Sequence, residues 1–372
     1  MDFHLSEELT EVADLARTLF TDLSTIDRVR EVEQGDSHHD DDLWAALSKA
    51  GLVGLAAPEE HGGADLGLAA ACVVLEEQGR RVAPVGLWPH VVGTLAIADS
   101  DNADLRTDLL PALAEGRSRI TLALEEPDTA EPATPGTTAR VGEGGQWLLT
   151  GVKAAVPSPQ GCEHVLVSAT TDQGPGLFLV EVSAGDWQIV DTTSHDRAGH
   201  LTLQDTRAVV VGEPSDASLA AVLRRSTLAL AAVQLGVAEG AMRLAASYLS
   251  ERVQFGRPLG SFQAVQHQLA DCWIDVAAMR VTLWEALSRD ADSDSTAADR
   301  ERTALVASWW RTQAGLDVVH RVQHVHGGMG VDVDYPVHRY FLWGKQLAST
   351  LGGAGSVLAD LGVLVARERV VS

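Results

Sequence analysis

The sequence predicts an α+β chain in which a β-rich segment, 117–214, separates a helical region, 1–116, from a second helical region, 215–372. Three observations carry this. Leu5, Leu9, Val12, Leu15 and Leu19 step by three and four, the spacing of an amphipathic helix. Short runs of β-branched and aromatic residues, separated by Gly, Pro, Asp and Thr, fill the middle of the chain. Long helical patterns over 217–254, 261–289 and 296–325 fill the rest. The 372 residues are enough for roughly two or three packed lobes.

In order, the first helix is followed by one that opens at Leu43-Trp44 and stops near Gly51. Residues 56–63 form a loop, because Pro58 and the paired Gly62-Gly63 break helical geometry. Helices resume over 66–80, 86–98 and 103–115. The runs 119–124, 147–150, 164–168, 176–180 and 187–190 read as strands of a small antiparallel barrel or sandwich. The acidic stretch 288–295 joins the last two long helices.

Charge restricts the partners. Lys+Arg 28 against Asp+Glu 52 leaves −24, which speaks against nucleic acid and anionic membrane, since each phosphate contact needs a basic residue. Lysine occurs only at Lys49, Lys153 and Lys345, so an anion site is expected to be local and built on Arg. Cys72, Cys162 and Cys272 lack zinc spacing and are expected as free buried thiols in a reducing compartment. The acidic start MDFHLSEELTEV has no signal-peptide pattern, and no uninterrupted apolar run of about 18 residues occurs; a cytoplasmic protein is expected. His38-His39-Asp40-Asp41-Asp42 reads as a solvated helix start, and no metal is expected.

Two segments could carry chemistry. Residues 248–266 read as a helix end, a tight Gly/Pro turn and a new helix capped by Ser261. Arg252 would fall in the last turn of one helix and Gln263 in the first turn of the next, where free N–H groups favour an anion. The same spacing suits an ordinary helix hairpin with a solvated Arg. In the second segment, 322–331, Gly327, Gly328 and Gly330 let a backbone approach a ligand, and His324 and His326 could supply ring N–H donors. A plain helix C-cap has the same glycines.

Together with 58–63, with Leu75-Glu76-Glu77-Gln78-Gly79-Arg80 and with 334–340, these segments make the chain resemble the acyl-CoA dehydrogenases along almost its whole length. The resemblance implies an N-terminal helical domain, a central β-barrel or sandwich domain and a C-terminal four-helix bundle. It also implies that Arg252, Phe255, Gln263, His324, Gly327 and Gly328 grip the ADP part of an FAD bound mainly by a neighbouring subunit. In that family a Glu abstracts the α-proton while the β-hydrogen leaves as hydride to the flavin.

The chain departs from the family where that Glu belongs. The two positions known to carry it fall at Leu351 and near Ser226. The flavin-facing loop reads Leu124-Glu125-Glu126-Pro127-Asp128-Thr129-Ala130-Glu131, with Glu125 at a Thr position, and the flavin-wall strand reads Ala155-Val156-Pro157-Ser158. An intact reach-across half beside a lost in-house half implies a non-catalytic subunit, paired with a homologous catalytic subunit that holds most of the acyl-CoA. The string His324 to Phe341 resembles the smaller subunit of bacterial α2β2 dehydrogenases that oxidise CoA esters of steroid side chains. The alternatives are an active homotetramer with a relocated base, such as Glu239 or Asp332, and a flavin-free structural homo-oligomer.

Overall fold

The computed structural model describes residues 5–128 and 131–371; Met1–His4 of the N-terminal reading and Thr129-Ala130 of the flavin-facing loop lie outside the described residues. The chain forms two compact units. One contains 5–29, 72–83 and 230–371, the other 30–71, 84–128 and 131–229. The first helices are α1 (Glu7–Leu23), α2 (Ile26–Gln34), α3 (Asp41–Lys49), α4 (Gly67–Arg81), α5 (Leu87–Ala98) and α6 (Ala103–Ala114). Local capping sets several starts: Ser6 accepts from Leu9 N–H, Asp40 from Leu43 N–H and Asn102 from Leu105 N–H. α2 is an element that sequence periodicity did not single out; it is short and polar, and Val29 and Val32 are its buried residues.

The strands are β1 (Ile120–Ala123), β2 (Thr138–Val141), β3 (Trp147–Pro157), β4 (His164–Thr171), β5 (Gly174–Glu181), β6 (Asp186–Asp191) and β7 (Arg197–Val210). β4, β2, β3, β7 and β5 close on themselves, because β5 pairs back onto β4; β1 joins β4 and β6 joins β7. The circuit is antiparallel except where β1 and β2 meet β4 in parallel, a correction to the all-antiparallel expectation. Phe178, Leu149, Val165, Val167, Leu201 and Leu203 fill its interior. β7 also escaped the sequence reading. Its Gln204-Asp205-Thr206 resembles a turn, but Asp205 takes φ +49° and its N–H donates to Thr150 Oγ1 at 3.1 Å, making a bulge within one strand.

The helical remainder is α7 (Asp216–Glu251), α8 (Gln263–Ala291), α9 (Ala297–Val325), α10 (Val337–Ser349) and α11 (Ala354–Val371). α7 is apolar enough to cross a membrane, yet 89% of its most apolar window is buried, so it is a core helix. α9 starts at a Thr296/Asp299 capping box and packs against α8, α10 and α11. The last stretch of the expected four-helix bundle is thus broken in two. Glycine explains how α4 and α7 come so close: a Cβ on Gly79 would lie 2.1 Å from the Val233 carbonyl oxygen, and one on Gly236 would lie 1.9 Å from that of Glu76.

Candidate functional site

The six residues expected to hold a dinucleotide all lie in the unit containing 230–371. Arg252 follows the end of α7; its N–H donates to the Tyr248 carbonyl (2.9 Å), and its carbonyl accepts from Leu259 N–H (2.8 Å). Between these bonds Val253 pairs with Pro258 and Gln254 with Arg257, a two-residue ladder tipped by Phe255 (φ +54°) and Gly256 (φ +79°). Positive φ at both tip residues matches the twist of a hairpin. It suits Gly256 and costs Phe255 about 1 kcal/mol. The Phe255 ring is 90% exposed and stands edge-on to Phe262, 6.1 Å between centroids.

α8 begins at Gln263 with Phe262 as N-cap and no side-chain cap. Ser261, the expected cap, sits in a single 3-10 turn, and its hydroxyl donates to the Pro258 carbonyl at 2.7 Å. That turn moves the N-cap from Ser261 to Phe262, a delay of one residue, and takes Ser261 out of capping position. The first N–H groups of α8 therefore keep their partial positive charge. The side chains of Arg252 and Gln263 are exposed and have no polar partner among the described residues.

At the end of α9 the two histidines diverge. His324 is exposed, and its Nδ1 donates to Gln268 Oε1 at 3.2 Å, tying α9 to α8. His326 is buried, its Nδ1 donates to the Val322 carbonyl at 2.7 Å, and burial holds its pKa below the ordinary histidine value. Each ring spends its Nδ1–H inside the chain, and the His326 Nε2 is buried without a partner among the described residues. This corrects the expectation of two ring donors. The His326 ring stacks on Tyr248 at 4.6 Å and 20°, with Tyr335 5.4 Å away. That stack joins the Arg252 end of α7 to the glycine turn. Sequence reasoning gave no role to Tyr248 and Tyr335, although Tyr248 stands one helical turn before Arg252.

The glycines of the turn have different causes. Gly327 takes φ +57°, and a Cβ on Gly330 would lie 2.6 Å from the Gln323 carbonyl oxygen. A Cβ on Gly328 would meet nothing within 4 Å, so this chain's own packing does not require that glycine. A guanidinium, an amide, an uncapped helix start and an open glycine turn fit the diphosphate of a dinucleotide such as FAD.

The two positions that the family resemblance implies for a base, Leu351 and Ser226, carry no carboxylate. Leu351 (φ +55°) and Gly352 (φ +98°) form the turn after α10. The buried Arg311 holds that turn by donating to the carbonyls of Leu347 (2.5 Å) and Thr350 (3.1 Å). Ser226 is buried in α7, and its hydroxyl has no partner among the described residues.

Glu239 is engaged elsewhere. It accepts from Arg80 (2.7 Å), Arg243 (2.6 Å) and Arg280 (2.6 Å), and Arg80 also binds Glu76 and Glu77. Burial by itself would raise its carboxyl, but the charges of Arg80 and Arg280 outweigh burial and hold it down at about 2. A carboxylate so held is an ion-pair anchor and a poor proton acceptor. Asp332 is exposed and caps its own loop, accepting from Asp334 N–H at 2.9 Å.

In the unit containing the barrel, Glu126 accepts from Gly136 N–H (2.7 Å), Thr137 N–H (3.0 Å) and the buried Lys153 Nζ (2.6 Å), so it anchors its loop. Glu125 makes an isolated bridge with Ala154. Ala155 is exposed at φ +50° within the bulge of β3 and offers only a methyl group, where the family resemblance implies an aromatic side chain. His39 and Asp41 serve structure: Asp41 lies 3.2 Å from His39 and 2.8 Å from Arg119.

Two family models match the chain: the acyl-CoA dehydrogenase N-terminal domain over 6–117 and the acyl-CoA dehydrogenase C-terminal domain over 217–362. The chain is 35% identical to acyl-CoA dehydrogenase FadE27 of Mycobacterium tuberculosis, covering 97% of this chain and 98% of that one. It is 32% identical to FadE28 of the same organism, covering 86% and 91%. Among solved structures it resembles a variant of the Tcur3481-Tcur3483 steroid ACAD (TM-score 0.93, 55% identity, 98% and 99% covered). It also resembles the ChsE4-ChsE5 complex from Mycobacterium tuberculosis (TM-score 0.92, 34% identity, 98% and 99% covered). With both domain models matched and 35% identity to FadE27 across nearly the full length of each chain, this protein belongs to the acyl-CoA dehydrogenase family.

Proposed function

We propose that this chain is the non-catalytic, FAD-half-site subunit of a heterotetrameric acyl-CoA dehydrogenase that α,β-desaturates CoA esters of steroid side chains. One observation carries the reading: Arg252 and Gln263 stand exposed without polar partners among the described residues, while the base positions hold Leu351 and Ser226. Arg252, Gln263, the start of α8, His324 and the turn at Gly327-Gly328 would hold the ADP part of FAD. Bound FAD supplies the hydride acceptor. The base and most of the acyl-CoA site belong to a homologous partner subunit. The similarity to a steroid ACAD and to a two-component complex supports both the substrate class and the partner. Two observations weigh against the relocated-base reading: Glu239 is held among guanidinium groups, and Asp332 caps a loop.

The test is expression of the chain alone and together with a homologous subunit. The expected result is a colourless single chain and a yellow, steroid-acyl-CoA-oxidising complex. A yellow and active preparation of this chain alone would overturn the reading.

A further inference from the structure

We propose that His326 is a positioning residue of the FAD half-site: its neutral ring, held between Tyr248 and Tyr335, fixes the glycine turn against the Arg252 end of α7, and its protonation releases that hold. The inference rests on the half-site reading above and deepens it. The two parts of the grip come from distant stretches of chain, since Arg252 follows α7 whereas Gly327 and Gly328 follow α9. Three rings stand between them. Tyr248, one helical turn before Arg252, stacks on His326 at 4.6 Å and 20°, and its carbonyl accepts from Arg252 N–H at 2.9 Å. Tyr335, just before α10, lies 5.4 Å from the His326 ring and 5.9 Å from Tyr248. His326 is the C-cap of α9 and directly precedes Gly327, whose φ of +57° turns the chain. Moving the ring therefore moves the start of the glycine turn.

The stack suits a neutral ring. His326 is 3% exposed; its Nδ1–H is spent on the Val322 carbonyl, and its Nε2 has no partner among the described residues. A neutral ring leaves one lone pair unsatisfied there, whereas an imidazolium puts an unpaired N–H and a charge in the same buried place, at greater cost. Burial accordingly holds the ring below the ordinary histidine value of 6.5, against the opposing pull of the Val322 carbonyl. The neighbouring elements bring Tyr248, Glu251 and Arg252 from the end of α7, and Tyr335 and His338 from the start of α10. Burial, then the charges of Tyr248 and Glu251, raises the Tyr335 hydroxyl above its ordinary value of 10, so that phenol keeps its proton. His338 Nδ1 donates to the Tyr335 carbonyl at 2.7 Å, and His324, Asp332 and Asp334 are exposed outside the stack. The hold is complete above about 6.5 and is lost as pH falls below that value.

The experiment measures the Kd for FAD of the wild-type complex and of complexes carrying His326→Ala or His326→Phe, from neutral pH into the acid range, with Arg252→Ala in parallel. His326→Phe keeps a ring of similar size in the stack. It loses the Val322 bond but also removes the orphaned Nε2, so the fold tolerates it. At neutral pH His326→Ala should raise Kd about tenfold and His326→Phe less than about threefold, because ring stacking sets the geometry. Wild type should bind FAD constantly above about 6.5 and more weakly below it, whereas His326→Phe should lack that acid fall. An unchanged Kd in His326→Ala overturns the proposal, and so does a His326→Phe complex as weak as His326→Ala. An acid fall retained in His326→Phe overturns the protonation step and assigns it to His324 or His338. FAD lost in Arg252→Ala but kept in His326→Ala sinks the positioning role alone; FAD kept in both sinks the half-site reading with it.

Discussion

Two groups of residues in the same unit differ in what satisfies them. Glu76, Glu77, Arg80, Glu239 and Arg280 are linked to one another on α4, α7 and α8, with each charge answered inside the chain. Around the hairpin, Arg252 and Gln263 have no such answer among the described residues, Phe255 takes a disfavoured φ in the open, and Gly328 guards empty space. The first group serves the fold of this chain. On the proposed reading, the second is completed by a ligand or another chain beside it.

The largest effect is expected from breaking the satisfied group. Glu239→Ala removes a carboxylate shared by Arg80, Arg280 and the exposed Arg243, while Arg80 keeps Glu76 and Glu77 and Arg280 keeps Glu76; it should cost about 1–3 kcal/mol, read as a lower unfolding midpoint. Arg252→Ala should lower FAD occupancy of the complex about tenfold or more by removing a charge-assisted contact, with the unfolding midpoint of the isolated chain unchanged. If both variants moved the same measurement, the contrast between the groups would collapse.

Acid sharpens the comparison further. Glu239 is held at about 2, below the ordinary carboxyl value of 4.5, so its stabilising contribution is present above about 4.5 and is lost as pH falls toward about 2. Urea midpoints of wild type should fall more steeply over that window than those of Glu239→Gln. The smallest effect belongs to the hairpin tip. Phe255→Asn relieves a left-handed backbone and should stabilise the isolated chain by up to about 1 kcal/mol, while weakening the complex. A loss of stability in the isolated chain would mean that Phe255 serves this chain's own packing.

Much of the fold was legible because it is written in local patterns. The three- and four-residue steps of α1 act within a few turns of chain, as do the caps Asp40, Asn102 and Thr296, which the sequence reading does not single out. β7 was not, since a strand interrupted by Asp205 exists only because Thr150 on β3 receives its N–H. The hairpin residues were legible as a motif, but Ser261 was misread as a cap, because a cap depends on where the preceding turn ends.

The sequence by itself determined which chemistry is available: an acidic chain with few cations, an Arg252/Gln263 pair flanking a Gly/Pro turn, and no carboxylate at Leu351 or Ser226. Only the tertiary structure decided how the charges are used. Glu239 and Arg252 both look in sequence like helical residues free to act. Three-dimensional packing surrounds Glu239 with guanidinium groups from two other helices and α7 itself, and leaves Arg252 in the open. The energy of a charge depends on its neighbours and its access to water, and folding sets both.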